Sequence, residues 1–116
     1  MENNEPLLDR ETALQHVQGD EEFLEEIYGI FLEEIPGRKD NFEKALEQDD
    51  IESIVGLAHS LKGVSLTIGA LSCHKMARKL EMAARNKEQT TVKELYPKLE
   101  QIIDQLEKRL SDRYSL

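Results

Sequence analysis

The chain has 116 residues, 24 of them acidic against 15 basic, for a formal net charge of −9, and it carries one cysteine. Such a length suits one domain with a single buried core. The acidic balance argues against nucleic acid as the main partner, because gripping a phosphate backbone takes clustered Lys and Arg. No apolar run approaches the roughly 18 residues that span a bilayer, and Cys73, the lone thiol, makes no internal disulfide.

Residues 1–8 read as an N-terminal tail, 9–112 as one domain and 113–116 as a C-terminal tail. The opening Met-Glu-Asn-Asn-Glu-Pro is acidic and polar, the opposite of a signal peptide, so the expected location is cytoplasmic. Asp9 caps a brief first helix with Leu14 and Val17, ended by Gly19. Asp20 caps a longer one, with Glu21 and Glu22 in the first turn, where the helix dipole favours negative charge. Leu24, Ile27, Phe31 and Ile35 then form a stripe at spacings of three and four. Pro36-Gly37 interrupts it, but the pattern resumes in phase at Arg38, Phe42, Ala45 and Leu46. That continuity favours one kinked helix from about 20 to about 48 over two helices joined by a tight turn.

Asp49 with Glu52 resembles a capping box for a third helix, from about 50 to about 68, which Gly69 stops. A fourth, from about 71 to about 87, places Cys73, Met76, Ala77, Leu80, Ala83 and Ala84 on one side. Thr91 with Glu94 resembles another capping box, opening a last helix with Val92, Leu95, Leu99, Ile102, Ile103, Leu106 and Leu110. Pro97 interrupts its hydrogen-bond ladder. Nothing reads as a strand. The expected fold is all-α, an antiparallel four-helix bundle with a short additional N-terminal helix.

The third helix carries Ala58-His59-Ser60-Leu61-Lys62-Gly63. At about 100° per residue, Ile54, Ala58, Leu61, Ser65 and Ile68 share a core-facing stripe. His59 falls about 140° from its centre, with Lys62 and Gly63 on either side of it. Val55, Leu66 and Glu52 lie on the same outer face. A surface histidine on a helix is usually incidental. Gly63 argues otherwise, since glycine inside a helix costs about 1 kcal/mol relative to alanine and nothing nearby calls for a helix stop. A missing side chain one turn past the imidazole leaves room for something to approach the ring.

That arrangement suits reversible phosphorylation of the imidazole. The unperturbed group titrates at about pH 6.5, so a nitrogen lone pair is on offer near neutrality. Lys62 can screen an added phosphoryl dianion with a Coulomb term of about 4 kcal/mol at 4 Å and an effective dielectric of about 20. Water and salt reduce the net effect to about 1 kcal/mol. That positions a phosphoryl group without trapping it.

The run from Ala58 to Gly63, followed by Gly69-Ala70, resembles the histidine-containing phosphotransfer (HPt) domain of multistep two-component signalling, whose pattern is Ala-His-x-Leu-Lys-Gly and then Gly-Ala. The similarity extends through Leu8-Asp9, Gly19-Asp20-Glu21, Phe31-Leu32-Glu33-Glu34-Ile35-Pro36 and Ala77-Arg78-Lys79-Leu80-Glu81. The resemblance implies that His59 takes a phosphoryl group from a receiver-domain aspartyl phosphate and passes it to another receiver, in a response regulator or a hybrid sensor kinase. It implies no kinase activity in this chain and no cofactor of its own, the Mg²⁺ and the aspartate being the receiver's. Lys62 and Gly63 then position the phosphoryl group. From the helical wheel, Glu52, Val55 and Leu66 are candidates for receiver docking. Leu66-Thr67 departs from the Ala-Asn common at that place in the family. A phosphorylation-independent bundle that binds a partner through the same face is the alternative.

Other constellations read as structural. His16 and His74 lack reactive neighbours, and Cys73 and His74 diverge by about 100° on a helix, which prevents them from pairing. No paired Glu-x-x-His motifs occur, so no metal site is expected. The basic run Lys75, Arg78, Lys79, Arg85 and Lys87 reads as a solvated face, with contact to a receiver as the lesser alternative. One exposed patch with a charged surround does not demand self-association, so a monomer is expected.

Overall fold

The computed structural model describes residues 5–114, which form five α-helices and no strand. They are α1 (Arg10–His16), α2 (Glu21–Glu47), α3 (Ile51–Thr67), α4 (Leu71–Arg85) and α5 (Gln89–Tyr114). The all-α bundle expected from the sequence is the fold observed. Neighbouring long helices are joined by three-residue turns, which fold each back against the one before. α3 packs most extensively on α4, α4 packs on α5, and α2 closes the ring against α3 and α5. Helix α1 lies against α2 and α3.

Three helix starts are set by aspartate side chains that accept from otherwise unpaired backbone N–H groups. Asp9 accepts from Thr12 N at 3.1 Å, Asp20 from Phe23 N at 3.0 Å and Asp50 from Ser53 N at 3.1 Å. The third cap corrects the expected one. Asp49 has φ 51°, the left-handed turn that ends α2, whereas an N-cap needs extended backbone. Asp50 (φ −86°, ψ 80°) therefore caps α3, and its carboxylate, which also accepts from Ser53 Oγ at 2.6 Å, is held below its usual pKa by those two bonds. The capping box expected at Thr91 is likewise absent. Val92 N already donates to the Glu88 carbonyl, so Thr91 sits within the first turn of α5.

Helix α2 runs unbroken through Pro36, and α5 through Pro97, as the in-phase apolar stripes require. Leu24, Tyr28, Phe31, Ile35, Phe42 and Ala45 are the buried residues of α2. Ile27 and Leu46 are only half-buried, and Tyr28 takes the deeper place, its hydroxyl reaching the Ile68 carbonyl at 3.4 Å. In α4 all six expected residues are buried, and the Cys73 thiol accepts from Ser65 Oγ at 3.2 Å. Burial pushes that thiol up to about 11, which suits a packing residue rather than a nucleophile.

The segment before α1 is tied down more firmly than a tail. Leu7 and Leu8 pack on the core, Pro6 accepts from Ser72 N at 2.9 Å, and Asp9 N donates to Gly69 O at 2.7 Å. Gly69 has φ +77°, and a Cβ there would run into the Asp9 carbonyl. The residue that stops α3 is thus also the seat of the N-terminal segment. At the other end α5 reaches Tyr114, two residues past the expected boundary. Residues 1–4 and 115–116 of the expected tails lie outside the described residues. No helix among the described residues is long and apolar enough to cross a membrane.

Candidate functional site

The core face of α3 buries Ile54, Ala58, Leu61 and Ser65, which turns His59 outward with 63% of its side chain exposed. Helix α4 runs back alongside and presents Glu81, whose side chain is only 5% exposed. His59 Nδ1 lies 3.1 Å from Glu81 Oε2. Lys62 Nζ lies 2.8 Å from the other carboxylate oxygen, and Arg85, one turn along α4, donates from Nε and Nη2 to Oε2 at 3.0 and 2.8 Å.

Three side chains from two helices, His59 and Lys62 of α3 and Arg85 of α4, therefore share the Glu81 carboxylate. Burial by itself would raise the pKa of Glu81, but the hydrogen bonds from Lys62, Arg85 and His59 outweigh it and bring the group down to about 2. Glu81 is ionised at neutral pH and acts only as an acceptor. A neutral His59 consequently carries its proton on Nδ1, leaving the lone pair on Nε2, for which no hydrogen bond is present among the described residues. Two cations against one carboxylate leave a single positive charge beside the ring.

Lys62 and Gly63 stand where the wheel put them. Lys62 is not a free cation, however. It is 27% exposed and already committed to Glu81. Gly63 is exposed, and a Cβ built there meets nothing within 4 Å, so the space next to the ring is open. Of the docking candidates, Glu52 is exposed, Val55 half-buried and Leu66 42% exposed, all outside the core. His74 and His16 serve packing. His74 Nδ1 bonds the Lys62 carbonyl at 2.9 Å and His16 Nδ1 the Thr67 carbonyl at 3.2 Å, each stitching a neighbouring helix to α3.

Sequence reasoning missed Glu81 as the partner of the histidine. A signal was present. Glu81 lies about 40° beyond Ala77 on the α4 wheel, at the edge of the buried stripe, where an unpaired charge is costly. The spacing rules that link residues along one helix do not reach across to another.

A family model described as "Hpt domain" matches residues 26–109. The chain is 24% identical over 104 residues to the phosphorelay intermediate protein rdeA of Dictyostelium discoideum, an alignment covering 90% of this chain and 41% of that protein. It thus spans about two fifths of the length of that curated relative. Among solved structures it is similar to histidine-containing phosphotransfer protein B from Pseudomonas aeruginosa PAO1, with TM-score 0.84 and 22% identity over 93% of this chain and 94% of that one. It is similar also to the HPT domain of a sensor hybrid histidine kinase from Shewanella, with TM-score 0.76 and 23% identity over 94% of each. At these identities the two structures bear on the fold.

Proposed function

We infer the function from this premise: the chain belongs to the Hpt domain family. Its role is that of a phosphorelay intermediate, with His59 as the phosphoryl acceptor and donor and receiver domains as its partners. The observation that carries this is the exposed His59 ring held through Nδ1 by an ionised, buried Glu81.

In the forward step the Nε2 lone pair attacks the phosphorus of a receiver's aspartyl phosphate. The N–P bond forms, the P–O bond to the aspartyl carboxylate breaks, and its electron pair returns to that carboxylate. The ring becomes a phosphorylated imidazolium whose Nδ1 proton stays on the nitrogen. Glu81 stabilises the positive charge that develops there, so its effect grows along the reaction coordinate. Lys62 and Arg85 offset the repulsion between Glu81 and the incoming dianion. Gly63 leaves room for the phosphoryl oxygens. Reversal delivers the group to a second receiver. The catalytic aspartate and Mg²⁺ belong to the receiver, and the chain needs no kinase activity.

Receiver docking falls to Val55 and Leu66, apolar residues one turn before and two turns after His59, with Glu52 at their edge. The domain at 9–112 acts as a monomer in the cytoplasm, where its exposed face is open to a partner. Incubation with a phosphorylated receiver domain should yield acid-labile, base-stable label on the chain and none on His59→Gln. Label that survives His59→Gln would overturn the assignment.

A further inference from the structure

Helices α2 and α5 run antiparallel along a seam that the relay site does not touch, since the partners of His59 come from α3 and α4. Two ion pairs fix its register. Lys39 Nζ lies 2.6 Å from Asp104 Oδ1, and Lys93 Nζ lies 3.0 Å from Asp49 Oδ1. Between them the Phe42 and Tyr96 rings pack with centroids 5.1 Å apart. One turn on from Lys39 and one turn back from Asp104 stand Glu43 and Glu100. The middle rung of an otherwise complementary ladder thus brings two carboxyl groups together. Their side chains are within hydrogen-bonding reach of each other. Glu100 is half-buried, and one turn before it the Tyr96 hydroxyl is buried with no hydrogen-bond partner among the described residues. Two ionised carboxylates offer only acceptors, so a bond between them needs a proton.

We propose that Glu100 exchanges partners with pH: in mild acid it shares a proton with Glu43 and ties α5 to α2, and once both carboxyls are ionised it turns to the Tyr96 hydroxyl. In the acid form the carboxyl O–H of one glutamate donates to the carboxylate of the other, a short charge-assisted bond. Loss of that proton to solvent leaves like charges face to face. The buried phenolic O–H is then a donor not otherwise engaged, and of the charges acting on it that of Glu100 is the largest. Burial and the contact with Glu43 hold the Glu100 carboxyl above its ordinary range, while Lys39 opposes them. The main charges bearing on Glu100 are Glu43 and Lys39 of α2 and Asp104 of α5; α4, also packed on α5, supplies none of them. Lys39 is committed to Asp104 and so neutralises neither glutamate outright. No group of three or more carboxylate, histidine or cysteine side chains among the described residues is placed to hold a metal ion, so the pair is a site for a proton. Because the folded protein binds this proton more tightly than the unfolded chain does, the stabilisation is present below pH 4.5 and is lost as pH rises through the folded-state midpoint. Its sign is opposite to that of Glu81.

The test follows the carboxyl carbons of Glu43 and Glu100 in the whole chain by ¹³C NMR between about pH 3 and about pH 8, a range that spans the ordinary carboxyl values. The two signals should move in coupled steps, one with its midpoint above 4.5, and the Tyr96 ¹³Cζ signal should shift in that upper step. In Glu43→Gln the amide donates to Glu100 without a proton being shared, and Glu100 should titrate in one step with its midpoint lowered by about one pH unit. In Tyr96→Phe the ionised carboxylate loses its donor, and the midpoint should rise instead. In urea denaturation Glu100→Gln should gain on the wild type as pH rises through the upper midpoint, whereas Glu81→Gln gains as pH falls. Independent titrations of Glu43 and Glu100 at the ordinary glutamate value overturn the shared proton. Either a Tyr96 signal that ignores the upper step or an unmoved Glu100 midpoint in Tyr96→Phe overturns the exchange of partners. Loss of the upper step when calcium or magnesium chloride is added at constant ionic strength marks a metal site and overturns the assignment of the pair to a proton.

Discussion

His59 and Glu81 are 22 positions apart in the chain and 3.1 Å apart in space, joined through Nδ1 and Oε2. The α3–α4 hairpin makes that meeting possible, since a helix reversed at Gly69 returns past the residues that preceded the turn. An imidazole held this way has one nitrogen committed to the protein and one left for chemistry. Its acceptor is a charge buried at the bundle edge and kept ionised by Lys62 and Arg85.

Replacing Glu81 by Gln should keep the packing and remove the negative charge that faces the imidazolium. Transfer from a receiver should slow by about tenfold or more in rapid-quench measurements. The same substitution should change how stability depends on pH. The folded-state pKa of about 2 lies below the ordinary glutamate value of 4.5, so the ionised form is favoured by folding. That contribution is fully present above pH 4.5 and fades as pH falls towards 2. Urea denaturation should accordingly show the gap between wild type and Glu81→Gln closing across this window.

Lys62→Ala should slow transfer by about tenfold, less than the loss of the histidine, because the lysine acts through charge on Glu81 and the phosphoryl group rather than on the bond being made. An effect as complete as that of His59→Gln would show direct participation in the chemistry.

Gly63 separates space from stability. A Cβ there meets nothing, so Gly63→Ala should stabilise the fold by about 0.5–1 kcal/mol, as glycine removal from a helix interior does. Gly63→Leu should fold equally well but fill the opening beside the ring and slow transfer. Full transfer rates in the leucine variant would dismiss the need for that opening. Gly37→Ala in α2, also unobstructed, should reproduce the stability gain with transfer untouched.

Asp50 and Asp49 are adjacent but unequal. Asp50→Ala should cost about 1 kcal/mol through the lost α3 cap. Asp49→Ala should cost under about 0.5 kcal/mol, since Asp49 offers only an exposed pair with Lys93 at 3.0 Å. Thermal denaturation of the two variants side by side distinguishes them.

Gly69→Ala should be the most damaging of the glycine changes, at about 2 kcal/mol or more, because it combines a left-handed φ of +77° with a clash against the Asp9 carbonyl. Loss of the Asp9–Gly69 hydrogen bond should appear as faster amide exchange at Asp9.

The local code of this chain is unusually complete. Apolar residues at spacings of three and four defined α2 through Pro36 and α5 through Pro97, because a prolyl ring removes one hydrogen bond while an in-phase stripe preserves the whole buried face. The same periodicity turned His59 out of the core and set Lys62 and Gly63 beside it, since positions along one helix follow from its pitch alone. Tertiary structure decided what no single helix contains. It brought Glu81 and Arg85 to the histidine and committed Lys62 to a carboxylate rather than leaving it free. It also chose between two neighbouring aspartates at 49 and 50. The turn out of α2 required a left-handed residue first and an extended cap second. Helical pitch is a property of consecutive residues, whereas the meeting of α3 with α4 depends on where the chain turns and on which small side chains let the two helices close.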